Sequence, residues 1–357
     1  MQLPLGLQRA IGQELAACEP ARLRAACSRL SFVYREAMES TGAASAASSR
    51  EPSLRNALST GELRTAYLGV RMPATFAAIA AALGWTREAC SPQSLDEFRS
   101  VLDLGSGPGT ALWAATQLFP SLEAATALER DPGMIEIARR LGSQAAHRAL
   151  REARWVQGDL TATLPEGAWD LVVCSYALNE LGEAERDGLI RQAWARTAKL
   201  LVVVEPGTKA GFANVLGVRR RLLAAGATLA APCPNSLGCP MADGSDWCHF
   251  AARVERTAEH RRLKDATLGH EDEKFSYAAF MRSAFMRSPQ PDVPEGDAQP
   301  DEKSTGSPAR IVRHPKIFSG YTKLVLCREG EIANTTVTRS KKEDWRSLKR
   351  LGWGDRW

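Results

Sequence analysis

The stretch Val101–Gly109, VLDLGSGPG, is a short apolar run that stops abruptly at three alternating glycines. The run Ser100–Leu104 reads as a buried strand. Gly105, Gly107 and Gly109 read as a loop whose backbone can take positive φ and approach a ligand closely. A helix starting just beyond would turn its free N–H groups toward polar or anionic ligand atoms. Strand, glycine loop and helix in this order form a nucleotide-cofactor site. Outward from this unit, the runs Ala124–Glu129, Ala153–Gln157, Asp170–Ser175 and Lys199–Glu205 read as further strands, with helical intervals between them. Continuous apolar strands alternating with helices predict a parallel α/β sheet covered on both faces. The later runs Lys274–Met281 and Tyr321–Cys327 are expected to complete the sheet as an antiparallel pair.

Two acids extend the cofactor reading. Glu129 ends the second strand, where a carboxylate can accept both ribose hydroxyls of an adenosine. Asp159 follows the third strand, within reach of an adenine amino group. Either acid alone reads equally well as an exposed loop carboxylate; with DLGSGPG they favour an adenosine cofactor. A dinucleotide fingerprint wants G-x-G-x-x-G, and here Gly109 comes one residue early. The string DLGSGPG, which begins at Asp103, resembles motif I of class I methyltransferases, as does the run ALERDPGMIEIARR that follows. That resemblance implies S-adenosylmethionine and not NAD, with Asp103, Gly105, Gly107, Gly109, Glu129 and Asp159 as cofactor-binding residues.

The chain has 357 residues and eight cysteines. Cys18, Cys27, Cys90 and Cys174 sit in apolar or helical contexts and read as packing residues. Cys233, Cys239 and Cys248 crowd into APCPNSLGCPMADGSDWCHF, Ala231–Phe250, and Cys327 lies far downstream. Proline follows Cys233 and Cys239, which suits a tight loop around an ion or cluster. A disulfide is disfavoured, because the N-terminus lacks secretory character and cytosolic thiols stay reduced. Zinc is open, with His249 as a fourth ligand of a Cys3His set, although close C-x2-4-C pairs are missing. An iron–sulfur cluster held by four thiolates tolerates the wide spacing and is equally open.

Residues 1–97 read as a helical N-terminal extension, with Pro73 starting a helix. Residues 98–227 read as the α/β core, 228–260 as a cysteine-rich insertion and 261–287 as core continuation. Residues 288–309, rich in Pro, Asp, Glu, Gly and Ser, read as a disordered loop, and 310–357 as the last core strands with a basic tail. No internal repeat is present. No apolar run reaches transmembrane length. The first residues lack the Arg- and Ser-rich composition of a transit peptide, so a cytoplasmic protein is expected. The net charge is +5. Its distribution is uneven: Arg219–Arg221 form one basic run, and the tail Thr338–Trp357 interleaves Lys and Arg with Trp345, Trp353 and Trp357. Such a tail can neutralise phosphates and stack on bases, or it can be a solvated helix anchored by tryptophans.

Taken together, RMPATFAAI at Arg71–Ile79, the glycine-loop stretch, SYALNELG at Ser175–Gly182 and VVVEPGTKAGF at Val202–Phe212 resemble one family. APCP…CP…WCHF, LGHEDEKFSY at Leu268–Tyr277 and the closing WGDRW extend the likeness over most of the chain. The family is the methyltransferase-like small-ribosomal-subunit assembly proteins of bacteria and mitochondria (the Rsm type). The resemblance implies a [4Fe–4S] cluster on Cys233, Cys239, Cys248 and Cys327, S-adenosylmethionine-type binding and a small-subunit ribosomal RNA partner. It implies no membrane association and a monomer when off the ribosome. After the fourth strand, however, SYALNEL stands where amino-directed nucleic-acid methyltransferases carry N/D-P-P-Y/F. Tyr176, Asn179 and Glu180 could line a pocket there, yet no catalytic base or nucleophile can be named. An rRNA methyltransferase, a non-catalytic assembly factor and a small-molecule methyltransferase all remain open, in that order.

Overall fold

The computed structural model describes residues 2–40, 58–88, 97–264, 266–282, 309–348 and 350–357. Cys90 and the stretch read as a loop, Ser288–Pro308, lie outside them. Four helices come first: α1 (Leu5–Ala16), α2 (Pro20–Ser40), α3 (Gly61–Val70) and α4 (Met72–Arg87). The α/β unit follows with β1 (Ser100–Leu104), α5 (Thr110–Leu118), β2 (Ala124–Glu129), α6 (Pro132–Ser143), α7 (Arg148–Arg151) and β3 (Arg154–Gln157). It continues with β4 (Trp169–Ser175), α8 (Glu183–Ala195), β5 (Thr197–Pro206), α9 (Lys209–Ala224), β6 (Thr228–Ala231) and β7 (Phe250–Glu255). Then come α10 (Ala258–Leu263), β8 (His270–Met281), β9 (Arg310–Ile311), β10 (Lys316–Phe318), β11 (Tyr321–Arg328), β12 (Glu331–Thr338) and α11 (Lys342–Leu348).

The main sheet runs β3-β2-β1-β4-β5-β8-β6, with β7 also on β8. The first five strands pair in parallel, and β8 enters antiparallel between β5 and β6. Burial of Val101, Leu102 and Leu104 in β1 and of Leu200–Val204 in β5 is complete on both faces, as a parallel sheet demands. The far edge of β8 is shared. Its end, from Ala279, pairs with β6, and its beginning, up to Phe275, pairs with β7. The chain therefore leaves the sheet after Ala231 and returns at Phe250, and the cysteine-rich loop is suspended between two strands of one sheet. The insertion is thus residues 232–249, narrower than 228–260, because both flanks are sheet strands.

α4 is not an extension. Pro73 sits in its first turn, and Phe76, Ile79 and Leu83 pack fully buried in the cluster that contains Val101, Val202, Phe250 and Phe275. At its end Trp85 stacks on Phe275 with centroids 5.9 Å apart. The helix is one layer of the core itself.

Tyr321–Cys327 does not join the main sheet. It lies in β11, the centre of a second, four-stranded antiparallel sheet made of β9–β12. Thr322, Leu324 and Leu326 are buried on one face of β11, over a small core with Ala309, Ile311, Val337 and Leu348. The C-terminal tail closes this unit: Trp357 N donates to Ala309 O (2.9 Å) and Gly354 N to Ile311 O (2.9 Å). Trp85 Nε1 of α4 donates to Asp355 Oδ1 at 3.2 Å, which fastens the tail to the main body. Trp353 packs edge-on against His249 and His314, with centroids 5.0 and 4.7 Å apart. Trp353 and Trp357 are therefore packing residues, not free stacking faces.

Candidate functional site

The glycine loop lies at the carboxyl end of β1, beside the ends of β2 and β4. Gly105, Gly107 and Gly109 take φ of +70°, +52° and +81°, values that L side chains rarely tolerate. A Cβ at Gly109 would meet Trp155 at 2.8 Å, whereas one at Gly107 would meet nothing within 4 Å. Gly107 therefore faces open space. Glu129 holds the loop from β2: its carboxylate accepts from Gly107 N (2.8 Å) and Asp131 N (2.9 Å). Asp159 is half-buried, and its Oδ1 accepts from the amide (2.9 Å) and hydroxyl (2.8 Å) of Thr161.

Asp103 is fully buried; neither carboxylate oxygen has a partner at full hydrogen-bond geometry, and the Leu112 backbone gives it only a weak favourable contact. Burial, and secondarily the charge of Glu129, push its pKa up to about 8. The hydroxyls of Ser106 and Thr110, also buried, likewise lack partners. Buried polar atoms are normally satisfied. Three orphaned groups around one positive-φ loop mark a surface built to meet something polar. The two hydroxyls were not singled out from the sequence, although each flanks a glycine of the motif.

Tyr176, directly after β4, has φ +56°. Its hydroxyl donates to Glu273 Oε1 at 3.3 Å, the same oxygen that takes Arg71 Nη2 at 3.0 Å. Arg71 also lies 5.1 Å from the Tyr34 ring. Asn179 and Glu180 are exposed. The segment after β4 is thus tied into a half-buried arginine–glutamate pair.

The second site is a cavity of about 40 Å³ where the insertion meets α9 and the second sheet. Cys233, Cys239, Cys248 and Cys327 all line it. The approach is determined by ordinary packing. Ser276 Oγ of β8 donates to Cys248 O (2.8 Å), Arg310 Nε of β9 donates to Pro232 O (2.7 Å), and Phe212, Leu216, Met241 and Val312 form the apolar wall. Burial raises the pKa of Cys233 and Cys248, and for Cys248 the other three cysteines add to the rise. Cys327 is pushed up to about 12, by burial first and then by Cys233 and Cys239. Among the described residues no three His, Cys, Asp or Glu side chains converge as a single metal ion requires. The four thiols border one shared cavity. His249 is not in the wall: its ring stacks on Trp247, centroids 5.1 Å apart, and Nδ1 is 3.1 Å from Trp247 O. A Cys3His set has no geometric support.

One arginine lines this cavity and a second acts on its thiols from behind. Arg219 is buried in its wall, gives a hydrogen bond to Leu237 O, and forms no ion pair among the described residues. Arg310, also buried, holds Pro232 O and Gly354 O (2.8 Å). The Arg219–Arg221 run is consequently not one basic surface, since Arg221 pairs with Asp187 and only Arg220 is exposed.

The strand order 3-2-1-4-5, extended by an antiparallel strand, with a glycine loop at the carboxyl end of β1, defines a class I S-adenosylmethionine methyltransferase-like α/β fold. The chain belongs to the family described as mitochondrial small ribosomal subunit Rsm22, whose model matches residues 62–357. It is similar to the human protein named ribosome assembly protein METTL17, mitochondrial: 26% identical over 319 residues, 82% of this chain and 62% of that one. A Schizosaccharomyces pombe protein, Rsm22-cox11 tandem protein 2, mitochondrial, is 24% identical over 81% of this chain and 42% of its own length. The chain thus spans less than two thirds of these curated relatives. A solved magnesium protoporphyrin IX methyltransferase from Synechocystis superposes with a TM-score of 0.36 at 12% identity, over 57% of this chain and 78% of that one. The fold assignment rests on the strand order. The cytoplasmic expectation is corrected by these findings, because the family and both relatives are described as mitochondrial.

Proposed function

We propose that this chain is a methyltransferase-fold factor of small-ribosomal-subunit assembly, with S-adenosylmethionine in the glycine loop and a [4Fe–4S] cluster in the thiol cavity. The observation that carries the reading is the convergence of Cys233, Cys239 and Cys248 from the inserted loop and Cys327 from the second sheet on one apolar cavity. The donor set fits: four thiols and no histidine line one cavity. A cluster held by four thiolates is net negative, and Arg219 and Arg310 already lower the pKa of Cys233 and Cys327 against the stronger pull of burial. When bound, the cluster supplies a rigid cross-link between the insertion and the second sheet. The protein's own residues then do the rest. Ser276 and Arg310 hold the loop backbone, and α9 supplies Arg219 and the apolar wall.

The cofactor loop fits in the same sense. Gly107 leaves room, and Asp103, Ser106 and Thr110 offer unpartnered polar atoms. A small-ribosomal-subunit partner is supported by the family's description and an assembly role by the human relative's name, and ribosomal RNA is the component proposed to be contacted. Between catalysis and assembly without turnover, Tyr176 favours the latter. Its hydroxyl is engaged by the half-buried Arg71–Glu273 pair. Methyl transfer needs mainly orientation, so an enzyme would still require an open acceptor pocket at this point.

The test has two arms. Protein purified without oxygen should be brown and carry iron and sulfide in equal amounts, and a colourless zinc protein would refute the cluster. Calorimetry should detect S-adenosylmethionine or its demethylated product, and binding of NAD alone would refute the cofactor. A Gly107→Arg protein that still rescues small-subunit maturation in a deletion strain makes turnover dispensable.

A further inference from the structure

The face of the second sheet that carries Cys327 carries something else. Side chains alternate along a strand, so Tyr321, Lys323, Val325 and Cys327 share one face of β11. Their cross-strand partners are Phe318 and Lys316 in β10, and Thr338, Thr336, Asn334 and Ile332 in β12. Cys327 and Ile332 line the thiol cavity. Two registers on, Lys323, Lys316, Asn334 and Thr336 line a separate open groove, with Arg313 and His314 at its side and no carboxylate among its lining residues. At the far end Phe318 and Tyr321 stack with centroids 4.8 Å apart and planes 13° from parallel. Phe318 is 43% exposed and the neighbouring Ile317 76% exposed. Lys323 Nζ lies 5.9 Å and 6.0 Å from the two ring centroids.

We propose that this face is a platform for single-stranded RNA, with Lys316 and Lys323 on phosphates and the Phe318–Tyr321 pair under a base. The proposal rests on the small-subunit reading above and names the surface that serves it. The residue chemistry favours this occupant over others. Arg313 is compensated by Asp246, but Lys316 and Lys323 are exposed and form no ion pair among the described residues. Two uncompensated like charges placed directly opposite each other repel, and an anionic chain relieves that repulsion. Exposed aromatic rings beside lysines on an open sheet match the pairing of backbone neutralisation and base stacking that single strands use. Polar Asn334 and Thr336 can bond ribose hydroxyls or base edges. An apolar protein partner would find lysines in the middle of its interface, where such interfaces are depleted of them.

The experiment measures binding of a fluorescent single-stranded oligouridylate to the whole, anaerobically purified protein by anisotropy over a salt series. Lys316→Glu with Lys323→Glu should weaken binding at least tenfold and flatten the salt dependence by about 1.4 in log–log slope, at roughly 0.7 per lost phosphate contact on a single strand. Phe318→Ala with Tyr321→Ala should weaken binding about fivefold or more and leave the slope unchanged. Thr336→Glu, which puts a carboxylate in the groove without removing any contact residue, should act like the lysine variants. All substituted side chains except Tyr321 are exposed or half-exposed, so iron content and melting midpoint should stay at wild-type values. If wild type binds RNA and all three variants bind equally well, the platform is refuted while the small-subunit reading stands. If wild type binds neither oligouridylate nor small-subunit RNA, both fall. If polyglutamate displaces the oligouridylate at equal charge and the aromatic variant is silent, the face is a general anion surface and the proposal is overturned.

Discussion

The glycine loop and the thiol cavity are built over different distances along the chain. The loop is one strand–loop–helix unit: Asp103, Gly105–Gly109 and Thr110 are consecutive or nearly so, and only Glu129 comes from the next strand. Its geometry is fixed by the parallel sheet whether or not a ligand is present. The thiol cavity draws on the insertion, α9, the edge of β8 and β11 in a different sheet. Nothing local holds Cys327 opposite Cys233. Where a site is assembled from such separate segments, the energy of ligand binding is also folding energy. Occupancy of the cavity should therefore govern the stability of the second sheet, and occupancy of the loop should not.

The largest effect that tests this contrast is loss of a cavity thiol. Cys233→Ser, Cys239→Ser, Cys248→Ser or Cys327→Ser should each reduce iron content by more than half. The melting midpoint should drop by about 5–10 °C, a few kcal/mol at roughly 2–4 °C per kcal/mol for a large domain. Cys18→Ser should leave iron unchanged. Limited proteolysis should cut the Cys327 variant first within residues 309–357. If iron and melting are unaffected in all four, the cavity is a plain apolar core and the contrast disappears.

Next in size is Gly107→Arg. It fills the open space in front of the loop, so S-adenosylmethionine affinity should fall at least a hundredfold. Iron content should hold, because nothing of the loop reaches the cavity. A coupled loss of iron would show that the two sites are one cooperative unit. Gly109→Ala is smaller and differs in kind. The new Cβ meets Trp155 at 2.8 Å with φ at +81°, a strain of about 1–3 kcal/mol. It should appear in chemical denaturation of the cofactor-free protein, where Gly107→Arg should cost less.

The same contrast explains what the sequence made legible. β1–β5 and the glycine loop could be read because strand run, glycine spacing and helix start are contiguous, and the structure places them within a residue or two of expectation. Arg219 was legible in part. It shares the 3.6-residue face of Phe212, Val215, Leu216 and Leu222 in α9, and that spacing marks it as buried, though a run of three arginines looked like surface. Tyr321–Cys327 was recognisable as a strand but not as a member of another sheet. Its alternation of buried Thr322, Leu324 and Leu326 with the opposite face is the mark of a half-buried antiparallel strand, not of a strand inside a doubly covered sheet. The tail failed for a related reason. Trp353 and Trp357 look free until His249, His314 and Ala309, all distant in sequence, are brought to them. Orphaned atoms, such as those of Asp103 and Ser106, have no sequence signature because they are defined by the absence of a neighbour.

Asp103 gives the smallest and most selective probe. The folded carboxyl titrates near 8, raised by burial and then by Glu129, against 3.8 as its ordinary value. Between those values the folded state keeps a proton that the unfolded chain has released, so Asp103 makes stability fall as pH rises from about 4 to about 8. Above pH 8 both states are ionised and the slope from this group ends. Asp103→Asn keeps the shape and removes the titration. The variant should match wild type near pH 4 and below, exceed it by a margin that grows toward pH 8, and gain nothing further beyond. Melting midpoints of the cofactor-free protein across this range measure the effect. Cys233, Cys248 and Cys327 cannot produce it, since each is raised above its ordinary value of 9.0. A margin independent of pH would mean that the Asp103 carboxyl finds a partner in solution, and the loop would then lose its claim to an unpaired group awaiting a ligand.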